Sequence, residues 1–185
     1  MTTRRYGVLG LGNRLEQDEA LGALVIEKLR EDPTLLGSLP APQTVELIDG
    51  GTVGLGLMPY LTGLDGLLVV DVINANREPG DLIDLDGVDV IRKDVVMSVH
   101  DLGAGELLGA LYVMEAWPRR VRVIGLEPLV ISLGLDLTPP LAAAFPGLMD
   151  ELLRYLADWQ REDAAGEDAA GGAAAGGAAD GGSAA

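Results

Sequence analysis

Short, continuously apolar runs alternate along this chain with longer stretches in which apolar residues recur at helical spacing. Most of the switches fall at glycine, proline or an acid. Tyr6 to Leu9 is one such run and predicts a buried strand, followed by a glycine-containing turn from Gly10 to Gly22. Leu21, Leu24, Val25 and Leu29 then share one helical face. Thr44 to Ile48 alternates and predicts a second strand, ended by Asp49-Gly50-Gly51-Thr52. A weak helix should carry Val53, Leu57, Met58 and Leu61, because Gly54, Gly56 and Pro59 oppose it.

Gly66 to Asp71 is apolar throughout until its closing acid, as expected of a central parallel strand covered on both faces. Asn74 to Gly80 is turn chemistry, Asp81 to Asp84 reads as an edge segment, and Val88 to Val96 as a place for one more short strand. Ser98 to Gly103 should open a helix reaching about Met114, and Val121 to Gly125 should be a strand ended by Glu127-Pro128. Thr138-Pro139-Pro140 has the residues of a helix start, and Leu141, Phe145, Leu148, Leu152 and Leu156 follow at helical spacing, with a kink expected at Pro146-Gly147. From Glu162 onward only alanine, glycine, acids and one serine remain, too little apolar surface to offset the ordering of the chain. The expectation is an α/β domain over 1–161 and a disordered tail over 162–185. Its architecture would be a three-layer sandwich, a largely parallel twisted sheet flanked by helices.

Composition narrows the function classes. Hydrophobic residues make up 48% of the 185 but aromatics only 4%, so the core must be aliphatic. A formal charge of −16 argues against nucleic acid and anionic membrane surfaces as partners. The absence of cysteine excludes disulfides, thiolate metal sites and cysteine nucleophiles. No run approaches the roughly 20 apolar residues of a membrane span, and Met1-Thr2-Thr3-Arg4-Arg5 leads straight into a strand, so a cytoplasmic protein is expected.

The candidate chemistry lies where strands end. Asp18 and Glu19 stand at the start of the first helix, Asp71 closes the central run, and His100 opens a later helix. Each has an ordinary explanation: acids are comfortable at helix N-termini, Asp71 could cap a turn, and a lone histidine is usually a surface or satisfied core residue. In a doubly wound sheet, however, Glu19, Asp71 and His100 converge on the edge beyond the strand ends. Two carboxylates and an imidazole suit a borderline divalent metal better than Mg²⁺ or Ca²⁺. Other chemistries fit poorly. There is no G-x-S-x-G elbow to activate Ser98, and H-E-x-x-H is impossible with one histidine. Gly10-Leu11-Gly12 invites a dinucleotide reading, but Leu15 stands where the third glycine belongs and the acids would repel a pyrophosphate.

These pieces, taken in order, resemble the hydrogenase maturation endopeptidases. They are Gly10-x-Gly12-Asn13 with Asp18-Glu19, Asp49-Gly50-Gly51-Thr52, Val69-Val70-Asp71, Glu78-Pro79-Gly80, Ser98 to Gly103, and Gly125-Leu126-Glu127-Pro128. The resemblance spans about Tyr6 to Leu156. It implies that Glu19, Asp71 and His100 contact metal and carry catalysis. It also implies that the metal is nickel already loaded into the substrate, the precursor of a nickel–iron hydrogenase large subunit, from which a C-terminal extension is cut. The nickel would either polarise the scissile carbonyl or only position it. Water is the expected nucleophile, helped by Asp18 or by a metal-bound carboxylate. Asp49 and its two glycines are read as structural. Ala20 and Asp101 depart from the family pattern, which usually has glycine and an amide at those places. The expected partner is that precursor, the protein itself a monomer, and the reading from another class is a chaperone that binds nickel-loaded precursor without cutting it.

Overall fold

The computed structural model describes residues 4–92 and 104–175. Its elements run β1 (Tyr6–Leu11), α1 (Leu21–Glu31), α2 (Thr34–Gly37), β2 (Val45–Gly51), α3 (Met58–Leu61), β3 (Gly66–Val72), β4 (Leu82–Asp86), α4 (Gly87–Arg92), α5 (Ala104–Val113), β5 (Arg120–Leu126) and α6 (Pro139–Ala175). The strands form one sheet in the order β2-β1-β3-β5-β4. Four strands are parallel; β4 alone pairs antiparallel, with β5, as an edge.

Alternation along each strand sends side chains to opposite faces, and two cores result. Val8, Leu68, Val70, Val72 and Ile124 pack under α1 and α6, meeting Leu21, Val25, Ile26, Leu148, Leu152 and Leu156. Leu9, Leu67, Val69, Ile73 and Val123 pack on the other face against Leu57, Leu61, Val90, Leu107, Leu108 and Leu111. Every residue of β3 is buried, as its unbroken apolar run requires. The molecule is thus the expected three-layer α/β sandwich.

From β1 the chain crosses to β2 on one side, and from β2 it returns past β1 to β3 on the other. The order of winding therefore reverses between β1 and β3, the place where α/β sheets open a crevice at their carboxyl edge.

Two expectations are corrected. Val88 to Arg92 is helical rather than extended: the Asp86 carboxylate accepts from Val88 N–H at 2.9 Å and turns the chain out of the sheet, burying Val90. The last helix holds Pro146 within it. That helix also continues past residue 162, where the sequence suggested a solvated tail. Asp163 is buried there, accepting from the Tyr6 hydroxyl at 2.6 Å and from the Arg120 guanidinium at 2.9 Å. Burial alone would raise the Asp163 carboxyl, but the bonds from Tyr6 and Arg120 outweigh it and hold the group below the usual carboxylate range.

Candidate active site

The site is built on the turn after β1, and glycines set its geometry. A Cβ on Gly10 would lie 2.1 Å from the Gly22 carbonyl oxygen, and one on Gly22 would lie 2.2 Å from that of Leu11. The start of α1 therefore rests directly on the backbone of β1. Gly12 has φ +122°, and a Cβ there would meet the Glu19 carbonyl oxygen at 1.8 Å. In a dinucleotide fold the glycine turn leaves room for phosphate; here Glu19's own backbone fills it.

Glu19 lies in a 3₁₀ turn, Gln17–Ala20, that leads into α1, and it is buried. Neither acid caps the helix: the cap position is Ala20, and no side chain bonds there. Asp71, near the end of β3, is wholly buried. Its Oδ1 accepts from Val72 N–H at 2.8 Å, while Oδ2 finds no hydrogen-bond partner among the described residues. Burial first, and then the charge of Glu19, push the Asp71 carboxyl well above the usual range, opposed only by the Val72 N–H. The structure thus brings Glu19 and Asp71 together across the point where the sheet's winding reverses. His100, with its neighbours Ser98 and Asp101, lies outside the described residues. Among the described residues no group of three His, Asp or Glu side chains is placed to hold a metal.

Asp18 has another task. Its Oδ2 accepts from Leu129 N–H (2.9 Å), Val130 N–H (3.1 Å) and the Thr138 hydroxyl (2.9 Å), and its Oδ1 accepts from Thr138 N–H (2.8 Å). Four donors occupy this carboxylate, so it is not available to help a water molecule, and that expectation is withdrawn. Glu127 is likewise structural: its Oε2 accepts from Ala75 N–H at 2.7 Å, while its carbonyl accepts from Gly80 N–H at 2.8 Å. This explains why Glu78-Pro79-Gly80 and Glu127-Pro128 occur together. Asp49 is exposed and accepts weakly from Gly51 N–H at 3.3 Å, as a turn acid does. Beside it a cleft of about 470 Å³ opens between Asn13, Arg14, Asp49 and Thr52.

Fold and site together define an α/β protein whose buried carboxylate pair sits at the carboxyl edge of its sheet. Comparison with known proteins gives the particular family. The hydrogenase maturation protease model matches residues 25–155. The hydrogenase expression/formation protein HupD of Rhodobacter capsulatus is 32% identical over 165 residues, covering 88% of this chain and 76% of that protein. The hydrogenase 2 maturation protease of Escherichia coli K12 is 29% identical, covering 83% of this chain and 92% of its own. The structure of the hydrogenase maturating endopeptidase HybD from E. coli superposes with a TM-score of 0.70 at 30% identity, over 82% of this chain and 91% of that one. This chain belongs to the hydrogenase maturation protease family, a family of peptidases. Among the described residues no helix is long and apolar enough to cross a membrane.

Proposed function

We propose that this chain is an endopeptidase that removes the C-terminal extension of a nickel-loaded hydrogenase large-subunit precursor, with Glu19, Asp71 and His100 meeting the nickel. The observation that carries this reading is Asp71: a buried carboxylate with one oxygen lacking a partner among the described residues, disfavoured in its charged form by burial and by Glu19. Such a group is costly to keep unless something positive meets it. A divalent ion arriving on a client protein reverses that cost and favours the ionised acids. Two carboxylates with an imidazole suit nickel in donor type.

In this reading the nickel belongs to the substrate and serves as its recognition element. Because Asp18 is fully engaged, the water's proton passes to Glu19 or Asp71 as the water oxygen bonds to the scissile carbonyl carbon. The carbon–nitrogen bond then breaks and the proton moves to the departing amine.

The test is incubation of the purified protein with nickel-loaded and nickel-free precursor, followed by intact-mass measurement. The expected result is loss of the C-terminal peptide from the nickel-loaded form alone, abolished by His100→Ala. Equal cleavage of both forms would remove nickel from recognition. Tight binding without cleavage would favour the chaperone reading.

A further inference from the structure

Large aliphatic side chains stand exposed on the loop that follows β5 and on the turn after β1 to which it is bonded. Leu129, Leu133 and Leu135 are 53, 85 and 60% exposed, and Leu15, in the turn after β1, is 59% exposed. A free loop tip would ordinarily be polar and mobile. This one is held firmly. Gln17 N–H donates to the Gly134 carbonyl at 3.0 Å, Gly134 N–H donates to that of Leu15 at 2.9 Å, and the Ser132 hydroxyl donates to Gln17 Oε1 at 2.6 Å. The Arg14 guanidinium donates to the Leu135 carbonyl at 2.7 Å, and Asp18 takes the N–H groups of Leu129 and Val130. A Cβ at Gly134 would meet Gln17 Cγ at 2.5 Å, so the loop lies tight against the acidic turn.

We infer that Leu15 with the 129–135 loop is the docking surface for the client precursor, receiving the apolar face that surrounds the client's metal-bearing C-terminal segment. This rests on the function proposed above. Three observations select that occupant. The loop is hydrogen-bonded to the turn that carries Glu19, so whatever binds it lies beside that turn. A second copy of this chain would bring another −16 charge and set acidic sites face to face. A partner presenting a bound cation is complementary to the buried acids instead. Because the loop is already ordered, little conformational entropy is lost on docking. The role assigned to Asp18 also becomes clear: it fastens the docking loop to the site turn, so client and carboxylates keep one register.

The experiment compares wild type, Leu133→Asp and Leu135→Asp for affinity toward nickel-loaded precursor and for cleavage kinetics. Val113→Asp, at the far end of α5 and 81% exposed, serves as control. Each loop variant should weaken Kd and raise KM about tenfold with kcat within about twofold, since each loses the burial of one leucine. Their urea midpoints should match wild type, and Val113→Asp should change nothing. Unchanged Kd and KM in both loop variants, with wild type cleaving, would overturn the docking surface and leave the proposed function standing. Wild-type binding without cleavage, weakened by Leu133→Asp, would support the surface while the hydrolytic reading failed. No binding by wild type would overturn both, and a wild-type dimer dispersed by Leu133→Asp would reassign the surface to self-association.

Discussion

Asp18 and Glu19 are adjacent in sequence and both buried; Asp18 ties down the segment from Leu129 to Thr138, Glu19 is proposed to meet the client's nickel, and replacing Asp18 by alanine tests that division. The substitution strips partners from three backbone N–H groups and one hydroxyl. The two bonds to Thr138 are buried, while those to Leu129 and Val130 are only partly so. Leaving a buried donor unmet costs roughly 1–3 kcal/mol, and donors that reach water cost less. Relief from burying the carboxylate offsets part of this, so a net loss of about 3 kcal/mol is expected. Against a total stability of roughly 5–15 kcal/mol this is a large fraction. It should lower Tm by roughly 6–12 °C and the urea midpoint by about 1–2 M. The assay is urea unfolding followed by the fluorescence of Trp117 and Trp159, with limited proteolysis of the 129–135 segment alongside. Glu19→Gln should lose processing yet stay near the wild-type midpoint. An Asp18→Ala unfolding free energy within about 0.5 kcal/mol of wild type would mean that Asp18 does not hold the loop.

Other perturbations test neighbouring parts of the account. Gly22→Ala places a Cβ 2.2 Å from the Leu11 carbonyl oxygen and 2.5 Å from that of Val70. Both obstacles are backbone, so the expected loss is about 3 kcal/mol or more in the same unfolding assay. Asp71→Asn should abolish processing of nickel-loaded precursor while raising the neutral-pH urea midpoint, because it replaces a carboxyl whose ionised form the buried site disfavours by a neutral group of the same shape. Asp163→Asn should destabilise by about 1–3 kcal/mol at pH 7. Because the folded Asp163 carboxyl lies below its ordinary value, the unfolded chain binds more protons between the two values. Its stabilisation is therefore complete above roughly pH 4 and fades below it, so the gap between wild type and Asp163→Asn should close as a urea series is taken to lower pH.

What the sequence made legible was set by local patterns. The unbroken apolar run of β3, the alternation of β2 and the leucine spacing of α1 and α6 each report burial directly; the first three elements stand where expected, and α6 starts where expected but runs on into the alanine-rich segment. The edge position of β4 was legible from its polar residues. The run from Val88 misled because alternating valines suit a strand, whereas the turn made by the Asp86 carboxylate decides for a helix. Glu19 and Asp71 lie close enough to interact, because the parallel winding dictates where those strand ends meet. The roles of Asp18, Glu127 and Asp163 could not be read locally. Their partners lie 111 to 120, 52 and up to 157 residues away, so an argument from helix caps or tail composition sees nothing of them.

The proposed function requires three side chains to meet at one ion. The most direct measurement is a crystal of this protein soaked in a nickel salt, with the ion located by its anomalous scattering. The prediction is a single strong site within coordination distance of Glu19, Asp71 and His100. An ion bound elsewhere, or His100 found far from both carboxylates, would contradict it.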